Sequence, residues 1–253
     1  KDDYLHTLIE SYRIFASDRD NITYDYQGND QKFLGTDDQY IRDKVSLFDK
    51  NASGKYNFPN PHGGGTAYMN AVDENGLGIS LIQSNFYGIG SRIGVGSYGF
   101  FLHNRGCGFN LIKGHPNSLG PNKKPLHTLS PTIWSKDGSL DFITGTRGGR
   151  YQPQLLAQTI LPYILGESSF EKIMEKPRWT IEYFGSDTTS NIKFEFIKEH
   201  EISSLEDKGH KISIEKKLIG GYGPISTIYK NSDEKFIGVP DVRVGTEKAF
   251  NSS

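Results

Sequence analysis

Residues 63–76 read Gly63-Gly64-Gly65-Thr66-Ala67-Tyr68-Met69-Asn70-Ala71-Val72-Asp73-Glu74-Asn75-Gly76. Three glycines open the stretch. A glycine run ahead of a strand serves as a loop, because glycine tolerates turn geometries that other residues avoid. The same freedom lets the Gly65 carbonyl be presented to the Thr66 hydroxyl. Attack of that hydroxyl on that carbonyl makes an ester, and water then releases Thr66 as a new amino terminus. A free α-amine has a pKa of ~7.7–8.0. It can therefore act as the base for its own hydroxyl, so that one residue carries both nucleophile and base. The junction is thus either a plain loop or a self-cleavage site. Beyond it, Thr66 to Asp73, a turn at Glu74-Asn75-Gly76 and Leu77 to Gln83 spell a β-hairpin.

Upstream of the glycines, residues 49–65 form a linker rich in turn residues. Before that, Leu5, Leu8, Ile9, Tyr12 and Phe15 recur at helical spacing. After a polar stretch from Ser17 to Lys32, Thr36 and Gln39 read as a capping box. Tyr40, Ile41, Val45 and Phe48 would then share a second helix face. Downstream, Tyr98 to Leu102 reads as a strand and His103 to Pro131 as a long loop. Loops of that length are functional or disordered. A second hairpin spans Thr132 to Trp134, a turn at Lys136-Asp137-Gly138, and Leu140 to Thr144. Gly148 and Gly149 introduce a helix from Gln154 to Leu165, and Ser168 with Glu171 caps a short one ending before Pro177. Strand-like runs follow at Trp179 to Phe184, Ile192 to Ile197, Lys211 to Glu215, Ser226 to Lys230 and Lys235 to Val239. A helix near Ser203 to Asp207 interrupts them. The order predicts an α+β layered fold without internal repeats and without a second autonomous domain.

Composition narrows the function. The 253 residues carry 29 basic and 30 acidic side chains, a net charge of -1. That balance argues against a duplex-DNA binder, and no nucleic-acid partner is expected. No apolar run approaches the ~18 residues that cross a bilayer. The single cysteine, Cys107, excludes an internal disulfide framework. It lies between two glycines near Arg105 and is read as inert or as an activated thiol, which the sequence does not decide. His103, His115 and His127 recur every twelve residues. None has a short-spaced partner, so no metal and no cofactor are expected. Gly88, Gly90 and Gly94 have the wrong spacing for a dinucleotide loop. A Gly-x-Ser-x-Gly elbow is absent. Gly148-Gly149 ahead of a helix would aim backbone N–H groups at an oxyanion. The chain begins Lys-Asp-Asp, so either a true start has been removed or this is a piece of something longer, and the compartment is unreadable.

Four segments then occur in order: Thr66 to Gly76, Leu102-His-Asn104-Arg-Gly-Cys-Gly-Phe109, Gly120 to Pro131, and Thr144-Gly-Thr-Arg-Gly148-Gly149. Together with Pro177-Arg178 and Val239-Pro-Asp241-Val-Arg243, they resemble the small catalytic subunit of the γ-glutamyltranspeptidases. Residues 1–65 resemble the end of the large subunit and its linker, and residues 66–253 the small subunit. The resemblance implies the four-layer αββα fold of N-terminal-nucleophile hydrolases. It also implies self-cleavage at Gly65-Thr66, Thr66 as nucleophile, Ser84 as its hydroxyl partner, and Gly148 with Gly149 as the oxyanion pair. No cofactor is implied. The partners would be a small acyl-amide substrate and a missing large-subunit half joined as a heterodimer.

Carried over by position, His127 and Thr128 stand where the family binds a substrate carboxylate, with Asn104 and Arg105 beside them. The family's ammonium-binding aspartate falls at Gly108, an asparagine at Phe86, and a glutamine at Arg105. The site has thus lost an anion and gained a cation. Arg105, or Arg147, would grip a carboxylate. The expected function is a γ-glutamyltranspeptidase-like amidohydrolase or acyltransferase that cleaves γ-glutamyl or related acyl amides. The alternatives are an acylase for glutaryl-type amides and a non-catalytic homologue with an interaction role.

Overall fold

The computed structural model describes residues 3–16, 18–25, 37–56, 65–182, 191–219, 222–245 and 248–251. In chain order the elements are α1 (Tyr4–Ala16), α2 (Arg19–Ile22), α3 (Asp38–Val45), β1 (Thr66–Val72), β2 (Gly78–Ser84), β3 (Thr132–Lys136), β4 (Ser139–Thr146), α4 (Gln152–Ile164), α5 (Phe170–Glu175), β5 (Trp179–Glu182), β6 (Asn191–Phe194), α6 (Glu199–Asp207), β7 (Lys211–Ile214), β8 (Ile225–Lys230) and β9 (Phe236–Val239). The chain divides into two compact units. One takes Lys1–Pro61, Arg105–His127 and Ile181–Glu215, and the other His62–Asn104, Thr128–Thr180 and Lys216–Ser253. This differs from the single layered domain expected. Neither unit is a continuous stretch, so a division into residues 1–65 and 66–253 rests on the cleavage reading and not on packing.

In the first unit, α1 buries Leu8, Ile9 and Ile14. It also buries His6, Glu10 and Arg13, which apolar periodicity did not anticipate. Their burial is tolerable because each is paired. Arg13 donates to Glu10 at 2.5 Å, and the two side chains hold both backbone groups of Gly54. His6 hydrogen-bonds the His210 ring at 2.8 Å and the Asp49 carbonyl at 2.8 Å. Helix α3 is capped by Asp37, which accepts from the Gln39 and Tyr40 N–H groups. Thr36 lies outside the described residues. Ile41 and Val45 on α3 are 38 % and 60 % exposed, so the expected buried face is open. Strands β6 and β7 pair in parallel across α6, a βαβ unit, since parallel neighbours need a crossover.

The second unit is built in layers. Strands β3-β4-β8-β9 form one antiparallel sheet, and β1-β2 a separate hairpin. Phe142 of β4, Ile225 of β8 and Val239 of β9 pack with Leu155, Leu156 and Ile160 of α4 and Phe170, Ile173 and Met174 of α5. That core puts the helices on one face of the sheet. The hairpin covers the other face, where β1 and β2 meet β4 and β8. Strand alternation explains the split, because Ile143 and Gly145 point opposite to Phe142 and Thr144. A Cβ on Gly145 would collide with the Tyr68 ring, so only glycine lets β1 lie on β4. Asn70 of β1 donates to the Ser226 carbonyl of β8 at 3.1 Å. On the sheet's helix side, the buried Thr144 and Thr227 hydroxyls satisfy each other at 2.7 Å.

Two local expectations are corrected. Residues Tyr98 to Leu102 form no strand. Gly96–Tyr98 is a 3-10 turn, and only an isolated bridge joins Gly94 to Phe101. Gly96 and Gly99 take positive φ there, which breaks the extended run. Helix α5 takes Ser169, not Ser168, as its N-cap. The Trp179 run is a strand through Glu182, and its remainder lies outside the described residues.

Candidate active site

Register brings the chemistry together. In the hairpin, Thr66 at the start of β1 faces Ser84 at the end of β2. The chain from Thr66 to Ser84 is thereby closed into one strand pair. Tyr68, locked over Gly145 and hydrogen-bonded to Ser80 at 2.8 Å, fixes the start of β1 against the sheet. Burial pushes the Tyr68 phenol above its usual range.

The Ser84 hydroxyl donates to the Gly65 carbonyl at 3.0 Å. Its oxygen also accepts from the Phe86 N–H at 3.0 Å. The carbonyl so polarised is the one that precedes Thr66. Phe86 holds a φ of 81°, a region that a bulky side chain avoids. Such strain persists only where surrounding contacts impose it. Asn104 supplies one of these contacts. Its side chain accepts from the Tyr87 N–H at 2.9 Å and donates to the Gly90 carbonyl at 3.0 Å. Asn104, expected at the substrate, thus clamps the loop that carries Phe86 and Tyr87.

Gly148 and Gly149 leave β4 with φ of 134° and 58° and open the turn that leads into α4. A Cβ on Gly148 would stand 2.7 Å from the Tyr222 carbonyl, so this close crossing needs glycine. The crossing is braced from behind. Arg178 pairs with Asp241 at 2.7 Å, both buried, and donates to the Gly223 carbonyl at 3.3 Å. Asp241 also accepts from the Ile225 and Arg243 N–H groups. Burial alone would raise the Asp241 carboxyl, but Arg178 and these N–H groups hold it below its ordinary value. The Pro177-Arg178 and Val239 to Arg243 segments are therefore joined in one ion pair.

A cleft in the second unit is lined by Thr66, Ser84, Phe86, Tyr87, Thr128, Gly149 and Arg150. It unites four sequence-expected positions: Thr66, Ser84, Thr128 and Gly149. Gly148 is the adjoining residue. Thr128 is buried, and its loop is tied to α4 because Ser130 N–H donates to the Gln152 side chain at 2.9 Å. Tyr87 and Arg150 were missed by sequence reasoning. The only hint was their adjacency to Phe86 and Gly149.

Arg105 and His127 belong to the first unit. Arg105 sits in the turn Arg105–Gly108, and burial lowers its guanidinium from the ordinary value. His127 is exposed, and its N–H donates to the Thr23 carbonyl. The Gly108 carbonyl accepts from buried Asn117 at 2.7 Å. His115 is engaged by Asn110 and by the Asn117 N–H. Cys107 is exposed. Among the described residues, no three His, Cys, Asp or Glu side chains gather as a metal site, and no helix is long and apolar enough to cross a membrane.

Comparison with known proteins places this geometry. The chain is 28% identical over 230 residues to the "Glutathione hydrolase-like YwrD proenzyme" of Bacillus subtilis, covering 88% of this chain and 42% of that protein. It is 29% identical over 189 residues to the "Oxamate amidohydrolase proenzyme" of Klebsiella pneumoniae, covering 72% and 36%. The chain thus spans less than half the length of these curated relatives. The solved cephalosporin acylase of Bacillus halodurans superposes on all of this chain and 46% of its own, with a TM-score of 0.80 at 23% identity. That likeness shows a shared fold, in keeping with the mixed helix-and-sheet architecture described above. The sequence profile described as Gamma-glutamyltranspeptidase matches residues 1–250, and the chain belongs to the γ-glutamyltranspeptidase family.

Proposed function

We propose that this chain is the catalytic part of a self-cleaving amidohydrolase or acyltransferase. The observation that carries this reading is the Ser84 hydroxyl on the Gly65 carbonyl, beside Thr66 and Gly149 in one cleft. In the first stage, the Thr66 oxygen attacks the Gly65 carbonyl carbon. Negative charge gathers on the carbonyl oxygen, where Ser84 donates. The C–N bond breaks, the Thr66 nitrogen takes the proton, and water hydrolyses the resulting ester. In the second stage, the freed amine of Thr66 deprotonates its own hydroxyl, which attacks an amide substrate. The N–H groups of Gly148 and Gly149 stabilise the tetrahedral oxyanion. The acyl-enzyme then passes its acyl group to water or to an amine.

The donor is a γ-glutamyl or related acyl amide. Relatives named as a glutathione hydrolase-like proenzyme and an oxamate amidohydrolase proenzyme support amide chemistry. The rest of the protein would complete the enzyme as a second subunit covering the hairpin's outer face. That face is apolar and open: Met69, Ile79 and Leu81 are 59 %, 53 % and 44 % exposed. The test is to incubate the full-length protein with an activated acyl amide and map the adduct by mass spectrometry. An acyl group on Thr66 is expected. An adduct elsewhere, or none in a protein that turns the amide over, would contradict the assignment.

A further inference from the structure

Phe86 is buried and keeps a φ of 81°. A bulky residue leaves that region unless its neighbours are held. Asn104 holds both neighbours. Its backbone N–H donates to the Asn85 carbonyl at 3.1 Å, and its side-chain oxygen accepts from the Tyr87 N–H at 2.9 Å. Its side-chain nitrogen donates to the Gly90 carbonyl at 3.0 Å, where the loop turns back. The fit is close there, because a Cβ on Gly90 would stand 2.3 Å from the Leu102 carbonyl oxygen. One residue thus grips the loop on each side of Phe86.

What the grip secures is the direction of one proton. A serine hydroxyl has one proton to give and two lone pairs. The Phe86 N–H takes one lone pair of Ser84 Oγ at 3.0 Å, and the hydroxyl donates to the Gly65 carbonyl at 3.0 Å. The three groups form a chain of aligned dipoles, in which donation into Oγ strengthens the donation out of it. Were Phe86 to relax to negative φ, its N–H would no longer be held on Oγ, and the hydroxyl would lose a contact that aims it. We propose that Asn104 is a positioning residue for self-cleavage. By holding Asn85 and Tyr87 it keeps the Phe86 N–H on Ser84, and so keeps the Ser84 proton on the Gly65 carbonyl. This rests on the self-cleavage reading above and adds to it a residue that acts through Ser84.

The test follows self-cleavage of the full-length protein by intact mass, in double-mutant cycles. Asn104→Ala should slow the reaction about tenfold, less than the loss of the donor itself. In a Ser84→Ala background the same substitution should change the rate by less than about twofold, because the hydroxyl it positions is gone. In a Phe86→Gly background the loss should shrink to about threefold, since glycine takes that φ without restraint. Asn104→Asp keeps the oxygen that receives the Tyr87 N–H but not the donor to Gly90, and should fall between Asn104→Ala and the unaltered protein. Urea midpoints report whether each variant folds, and Asn104→Asp replaces Asn104→Ala in the cycles if the latter does not. An equal loss in every background would mean that Asn104 supports the fold alone. An unchanged rate with Ser84 and Phe86 in place would mean that it positions nothing. Either result overturns this proposal and leaves the self-cleavage reading standing. An unaltered protein that never splits at Gly65–Thr66 would overturn both.

Discussion

At the scale of single residues, the site turns on contacts that each depend on one atom or one missing atom. Ser84 is the clearest case. Its Oγ donates to the Gly65 carbonyl, so on the proposed self-cleavage Ser84→Ala should slow the reaction by about a hundredfold, the usual loss for an oxyanion donor. Time courses of intact mass would check this, with Ser84→Thr retaining most of the rate. Gly145 matters through absence. Gly145→Ala would force Tyr68 off β4 and should cost about 1–3 kcal/mol in urea unfolding, the range for overpacking. Of the positions expected from the residues or from the family resemblance, Thr66, Ser84, Thr128 and Gly149 line one cleft. Arg150 and Tyr87 line it too but were not legible in the sequence, because an arginine after two glycines has the same spelling in a cleft or in solvent. Asn104 was read as a substrate contact. Its polar side chain is spent on Tyr87 and Gly90, and no spacing rule distinguishes those two uses.

At the scale of elements, period and turn chemistry found the two hairpins, the long loop and α4 within a few residues. They failed where tertiary context decides. The run from Tyr98 to Leu102 has strand-like composition, but Phe100, Phe101 and Leu102 are all largely exposed. Without a sheet to alternate against, glycine turns prevail. Helix α1 was read by its apolar residues alone, while His6, Glu10 and Arg13 are equally buried because their partners come from distant segments. The most consequential link between elements is the Arg178–Asp241 pair. It ties the segment before β5 to the one after β9 and braces the backbone against which Gly148 rests. Asp241→Asn would leave Arg178 buried beside a neutral group. It should destabilise the fold by about 3–5 kcal/mol and lower kcat more than it raises KM. Denaturant melts and steady-state kinetics on the same preparation would check both effects.

At the scale of the molecule, pH and cleavage are the accessible handles. His210 is buried against His6, and Glu10 lies 3.9 Å away. Burial first, then Arg13, His6 and Lys208, depresses the His210 pKa to about 3. An unfolded histidine titrates near ~6.5. The unfolded chain therefore binds a proton that the folded chain refuses, so stability falls as pH drops below about 6.5 and continues to fall toward 3. Lys208 bonds the Lys50 carbonyl and Asp3, and the His6 Nε2 bonds the Asp49 carbonyl, so these neighbours offer a new proton little acceptor capacity. Urea midpoints between pH 7 and 4 should decline, and the decline should flatten in His210→Gln. In the proposed reaction, an intact Gly65–Thr66 bond belongs to the precursor. The most direct measurement is the intact mass of the purified full-length protein beside its Thr66→Ala variant. Two fragments are expected whose masses sum to the chain plus one water, with Thr66 as the new amino terminus, and a single uncut chain for the variant. A persistently uncut unaltered protein, or a variant that still splits at Gly65–Thr66, would contradict it.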